Sequence, residues 1–249
     1  ARERMRLLRR HGHEFTLFTF GAPSERDQKL IAANADIFDA WEIGFNWDVL
    51  EREIATIGAA AKAIDIPVYL SRLRSIDELR AEAGRYYHAI NQGFVAADED
   101  QMRDLLQRPE LVGGIDGFVF RLMDDRSPWE AVGEAARLAE GMGVNGSVHL
   151  RMFGANPGEA REDDDWAANR LAEAVLAANA HNGVSVYADT FIDNDRGYYV
   201  RNGVLDRLNN PRLGFHVVRH LTGALAGCGE LAPGGMVEAN ALRAVTAKA

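Results

Sequence analysis

The sequence predicts an α/β protein, a TIM-type (β/α)8 barrel lacking its first strand in this chain, and three observations predict it. Short apolar runs rich in β-branched and aromatic residues alternate with helical segments seven times, which implies βαβ units and a parallel sheet. The length, 249 residues, is close to the roughly 250 of one such barrel, so residues 1–249 read as a single domain. No Gly-rich phosphate fingerprint follows any strand, and that argues against the runner-up, an open doubly wound sheet.

The strands are expected at Phe15–Phe20, Ile37–Phe45, Pro67–Leu73, Tyr86–Gln92, Ile115–Leu122, Gly146–Met152 and Val184–Phe191. Apolar residues at helical spacing follow them, as in Leu50, Ile54, Ile57 and Ala61, or Leu171, Ala174, Val175 and Ala178. Ser127-Pro128-Trp129-Glu130 is a capping box with proline at the first helical position. Ser24 is expected to cap a helix beginning near Glu25. Residues Ala1–Arg10 read as a helix feeding the strand at Phe15. In a barrel such a helix follows a first strand, which is why that strand is expected upstream of this chain or supplied in some other way. The stretch after Gly227 reads as a loop and a short final helix.

Composition bounds the function. Hydrophobic residues make up 47% and charged residues 26% of the chain, the profile of a folded globular protein. A net charge of -9 argues against the broad basic surface of a nucleic-acid binder. The one cysteine, Cys228, permits no internal disulfide and fits a reducing compartment. No apolar run approaches the ~18 residues of a membrane span, and no signal-peptide pattern opens the chain. The expectation is therefore a cytoplasmic protein with a small-molecule or oligosaccharide substrate, no nucleic acid and no membrane, and with a homo-oligomer left open.

In a barrel of this type, chemistry sits at the C-terminal ends of the strands. The polar residues there are Glu42, Ser71, Arg72, Asn91, Gln92, Arg121, His149, Arg151 and Asp189. Alternation sets Ser147, His149 and Arg151 on one face of their strand and Val148 and Leu150 on the other. Tyr187 and Asp189 likewise share a face. A single strand-end carboxylate is as readily half of a structural ion pair, but a ring of them is costly to bury without purpose. Arg72, Arg121 and Arg151 suit a carboxylate, phosphate or sulfonate, or could instead neutralise Glu42 and Asp189. Glu42, His149 and Asp189, with His88, have the side chains of a divalent-metal site. No tight motif demands a metal, so no cofactor is expected, with a divalent cation as the alternative.

The stretch Asp189–Tyr199 holds four carboxylates or amides, one Arg and two Tyr in eleven residues. Asp193 and Arg196 supply hydrogen bonds, and Tyr198 and Tyr199 can stack on pyranose faces. The alternative is a loop held by its own Asp–Arg network.

The next segment, Gly203-Val204-Leu205-Asp206 through Asn209-Asn210-Pro211-Arg212 to Phe215-His216, resembles the closing segment of the TIM-barrel glycoside hydrolase clan, where the chain leaves strand eight and enters the last helix. The likeness spans residues 203–225, with the helix at Phe215–Leu225. It implies that Val184–Phe191 is strand eight, and that a Glu acid/base ends strand four and a Glu nucleophile ends strand seven. On that numbering strand four ends Ser71-Arg72-Leu73 and strand seven ends His149-Leu150-Arg151. Neither ends in Glu, so if a sugar is hydrolysed the two carboxyl groups come from elsewhere, with Glu42, Asp189 and Asp193 the best candidates. A weaker resemblance, to sugar isomerases of the xylose-isomerase type, rests on the residue types of Glu42, His149 and Asp189. The expected function is a carbohydrate-active, glycoside hydrolase-like enzyme. A metal-dependent sugar isomerase, epimerase or lyase and a non-catalytic sugar-binding barrel are the alternatives.

Overall fold

The computed structural model describes residues 2–75, 77–78, 81, 92–122, 126–152, 164–189, 191–195, 199–200, 203–229, 231–239 and 242–248. The chain divides into two compact units, residues 1–75 with 92–119, and residues 76–91 with 120–249.

The first unit opens with α1 (Arg2–Arg10), then β1 (Thr16–Phe20), α2 (Glu25–Ala32), β2 (Ala40–Phe45), α3 (Trp47–Ala63), β3 (Val68–Arg72) and α4 (Glu99–Gln107), and it takes in the start of β4 (Gly117–Leu122). Ser24 caps α2 as its sequence promised, its hydroxyl oxygen accepting from the Asp27 N–H at 3.2 Å. Asn46 does the same for α3, accepting from the Val49 N–H at 2.9 Å. The turn from β2 into α3 is thus a single residue.

β1, β2, β3 and β4 pair in parallel in that order. The register aligns Phe18 with Glu42, Glu42 with Tyr69, and Tyr69 with Gly117. Paired residues on parallel strands point the same way, so each face of the sheet can be read off. One face carries Trp41, Ile43, Phe45, Val68, Leu70 and Phe118, all buried. It packs with Leu50 and Ile57 of α3 and Met102 and Leu105 of α4 into the core of the unit. Phe94 is wedged there, 5.2 Å from Phe118 and 6.2 Å from Phe45 between ring centres. Each such side chain contributes roughly 1.5–3 kcal/mol by leaving water. The opposite face carries Phe18, Phe20, Glu42, Gly44, Tyr69 and Ser71.

The second unit holds the end of β4, α5 (Pro128–Met142), β5 (Asn145–Arg151), α6 (Asp164–Ala180), β6 (Val184–Asp189), the two-residue pair β7 (Asn194–Asp195) and β8 (Tyr199–Val200), α7 (Leu213–Leu225), and the hairpin β9 (Ala232–Ala239) and β10 (Leu242–Lys248). Ser127 caps α5 with Pro128 at its first turn. Its hydroxyl donates to Glu173 at 2.5 Å and so joins α5 to α6. Val148 and Leu150 of β5 are buried with Trp129, Val132, Leu171 and Ala174.

The strands follow chain order, β1-β2-β3-β4-β5-β6. A doubly wound sheet reverses direction at a switch point. This one does not, and the unbroken order is that of a TIM-type barrel. Six parallel strands are paired among the described residues, against eight in a complete barrel. The strand expected at Tyr86–Gln92 falls mostly outside the described residues. Tyr69 and Leu70 of β3 register directly on Gly117 and Phe118 of β4, which leaves no place for a strand between them. Gln92 instead makes a lone antiparallel bridge to Leu73.

The tail also departs from expectation, because a hairpin replaces the final helix. Val237 pairs with Ala244 and Met236 with Val245. Alanine is a good helix former, but intrinsic propensity is a small term per residue and cross-strand pairing outweighs it here. Among the described residues no helix is long and apolar enough to cross a membrane.

Candidate functional site

In the first unit Glu42 stands third in β2 and is only 4% exposed. The side-chain amide of Gln92 donates to its Oε1. Among the described residues no partner is placed on Oε2, and no cation pairs with this carboxylate. Gly44 lies two residues on and on the same face. The ring of Phe18 rests against it, and a Cβ at position 44 would come within 2.7 Å of that ring. Phe18 and Phe20 are 47% and 52% exposed, so this face carries open aromatic surface beside a buried acid. Ser71 neighbours Gly44 across the strands. Its hydroxyl is fully buried and has no hydrogen-bond partner among the described residues.

Arg72 points the other way. It pairs with Phe45 in register and so shares the apolar face of the sheet. Its guanidinium is buried, donates to Asp98 Oδ1 at 2.9 Å and lies over the Trp47 ring at 5.8 Å. Arg74 donates to Asp98 Oδ2 at 2.5 Å, and the Val95 N–H donates to the same oxygen at 3.0 Å. Asp98 immediately precedes α4. The sequence offered Arg72 as a substrate-binding residue with Glu42. The structure sets the two on opposite faces of one sheet and puts Arg72 in a buried ion-pair cluster. Asp98 went unnoticed because it opens the acidic run Asp98-Glu99-Asp100, which reads as a solvated helix start.

In the second unit β5 and β6 align Ser147 with Ser185, His149 with Tyr187, and Arg151 with Asp189. The alternation expected for these strands holds. The His149 and Tyr187 rings meet edge to face at 5.8 Å. Arg151 and Asp189 are the last residues of their strands and lie side by side along the backbone. Tyr187, 41% exposed, is a residue on this polar face that the candidate set left out, although the period-two pattern through Asp189 marks it. Arg121 is buried in β4, on the face of that strand shared by Gly117 and Val119.

Asp193 is also buried, and both its oxygens are occupied. Oδ1 accepts from the Gly203 N–H at 2.8 Å and Oδ2 from Arg212 at 2.6 Å. Arg212 also reaches Asp164 at 3.1 Å. A Cβ at position 203 would collide with the Asp193 backbone nitrogen at 2.5 Å, so glycine is required for this close approach. The Gly203–Arg212 segment is therefore clamped onto the strand-end loop through Asp193. Within that segment Asp206 accepts from the N–H groups of Leu208 and Asn210 and from the Asn210 side chain, each at 2.8 Å. The Asn210 side chain first, and then its backbone, hold the Asp206 carboxyl below the usual carboxylate range. Asp193, Asp206, Arg207, Leu208 and Arg212 line an open cleft of about 540 Å³.

Asn91, Arg196, Tyr198 and His88 lie outside the described residues, and for Tyr199 only the backbone, paired with Asp195, is described. Among the described residues no three His, Cys, Asp or Glu side chains gather as a metal site would require.

No family model matches the chain, and no curated protein is similar to it. Among solved structures, GH5_18 from Bifidobacterium longum subsp. longum ATCC 55813 is similar over 87% of this chain and 80% of its own, at 10% identity and a TM-score of 0.30. A variant of that protein in complex with Manb1-4GlcNAc aligns over 87% and 79%, at 12% identity and a TM-score of 0.30.

Proposed function

We propose that this chain is a carbohydrate-active, glycoside hydrolase-like enzyme in which Glu42 acts as the proton-transferring carboxyl group. One observation carries the reading: Glu42 is buried, unpaired by any cation among the described residues, and held through Oε1 alone. A buried charge costs free energy unless it is compensated. Arg72, the arginine the sequence set beside it, is committed to Asp98 on the other face of the sheet. A neutral amide orients a carboxyl without fixing its charge, which suits a group that must give and take a proton.

Strand counting supports the same residue. The closing segment resembles that of the TIM-barrel glycoside hydrolases and makes β6 the eighth strand. Counting back along the observed order makes β2 the fourth, the strand on which the resemblance implies the acid/base. Glu42 stands three residues before the end of β2 rather than at it. Of the other carboxyls the sequence offers, Asp189 ends β6, and Asp193 has both its oxygens engaged within the second unit, by Gly203 and Arg212.

The test is hydrolysis of a panel of aryl glycosides and oligosaccharides by the whole chain and by Glu42→Gln. The variant keeps the shape and an acceptor for Gln92 but cannot transfer the proton. Its turnover should fall by about 10²–10⁴ with folding intact. Undiminished turnover in Glu42→Gln, or none by the unmodified chain on any member of the panel, sinks the proposal.

A further inference from the structure

We infer that Phe18 and Phe20 form a stacking platform for a pyranose ring, placed to bring its hydroxyls against Glu42 and Gln92. The inference rests on the carbohydrate reading of Glu42 but concerns binding rather than turnover. Large apolar side chains on a strand normally face the core, and here β1 does the reverse. Phe18 and Phe20 are about half exposed, while Leu17 and Thr19 face the packed side, where Thr19 accepts from the Trp41 indole at 3.0 Å. The two rings stand two residues apart, about 6.6 Å along the strand. They share the face of Glu42, and Phe18 is in direct register with it.

The absence of a side chain at Gly44 lets the Phe18 ring lie down against the sheet rather than stand away from it. The result is an apolar shelf with a hydrogen-bonding carboxyl and amide at its inner edge. A sugar ring has this polarity in reverse, with a face of C–H groups and a rim of hydroxyls. The broadest C–H face belongs to pyranoses whose hydroxyls are equatorial, and that class is the expected ligand: a β-linked gluco-configured oligosaccharide. Phenylalanine, lacking a hydroxyl, contributes only stacking, so polarity and orientation fall to Glu42 and Gln92.

The experiment is calorimetric titration of the whole chain with cellotetraose and, as the differently shaped control, maltotetraose. Sedimentation is run on the same samples. Cellotetraose should bind more tightly than maltotetraose. Phe18→Ala should weaken cellotetraose binding by about tenfold, the loss of one stacking contact. Gly44→Ala should weaken it as well with little change in melting temperature, because the added methyl displaces a half-exposed ring rather than backbone.

Equal binding in Phe18→Ala, or no binding of cellotetraose at millimolar concentration, overturns the platform. So does a dimer that Phe18→Ala converts to monomer without affecting sugar binding, since the rings would then be an interface between copies. The two proposals fail separately. Binding that depends on Phe18 in a chain without hydrolysis rejects the enzyme and keeps the platform, and hydrolysis that depends on Glu42 but not on Phe18 does the converse.

Discussion

Glu42 and Asp98 lie in the same compact unit and are each 4% exposed, yet they belong to opposite faces of one sheet and to different kinds of environment. Asp98 is surrounded by two guanidinium groups and a backbone N–H, all within 3.0 Å. Glu42 receives one neutral amide. Equal burial thus conceals two different environments, and the partners of each carboxylate are what tell them apart. Asp98 is paired with two cations, whereas Glu42 is met by a neutral amide.

The sharpest way to break this contrast is to remove each acid in turn. Asp98→Ala leaves Arg72 and Arg74 buried without their shared counter-ion, and the expected cost is about 3–5 kcal/mol. Glu42→Gln should cost less than about 1 kcal/mol, since the hydrogen bond from Gln92 survives. Urea unfolding of both variants measures the two values, and equal costs would mean that Glu42 is as structural as Asp98. Asp193 extends the comparison to the second unit. Asp193→Ala removes one charged and one backbone hydrogen bond, and should lower stability by about 2 kcal/mol. If it instead abolishes turnover at unchanged stability, Asp193 belongs to the chemistry and not to the clamp.

Ser71 gives a smaller effect of opposite sign. Its buried hydroxyl has no partner among the described residues, so Ser71→Ala should leave stability unchanged or raise it by up to about 1 kcal/mol. A marked loss in the melting curve would show that the hydroxyl is satisfied in solution. The weakest expected effect belongs to Asp39, a partly exposed carboxylate at the edge of β2. Hydrogen bonds from Arg9 first, and from the Phe15 N–H, hold its carboxyl below the usual range. A lowered folded-state value means that its stabilisation is complete above the unfolded value of about 3.9 and is lost as pH falls through the folded value. The gap in urea midpoint between the unmodified chain and Asp39→Asn should therefore shrink in acid below that window. A gap independent of pH would remove Asp39 from the set of charge-paired acids.

Much of this architecture could be read from the residues. The strands at Thr16–Phe20, Ala40–Phe45, Val68–Arg72 and Val184–Asp189 fall inside the expected stretches, and Gly117–Leu122 and Asn145–Arg151 agree within two residues. The caps at Ser24 and Ser127 are local chemistry, set by side chains a turn away from the groups they bind. The alternation that groups His149 with Arg151, and Tyr187 with Asp189, follows from the geometry of any strand. These features depend on neighbours in sequence, and so sequence determined them.

What the sequence could not decide was which side of the sheet became the inside. Arg72 and Ser71 are adjacent, and only the packing of α3 and α4 turns one toward Asp98 and the other toward Gly44. That choice depends on contacts between residues far apart in the chain, as with Asp98, which lies 26 positions from Arg72. Tyr86–Gln92 illustrates the same limit. The run has the composition of a strand and lies mostly outside the described residues, but the place beside β3 is decided by long-range pairing, which gives it to β4. Local preference proposes the elements, whereas the pairing of distant backbone and the burial of charge decide which elements form the sheet and which carboxylates are paired with arginine.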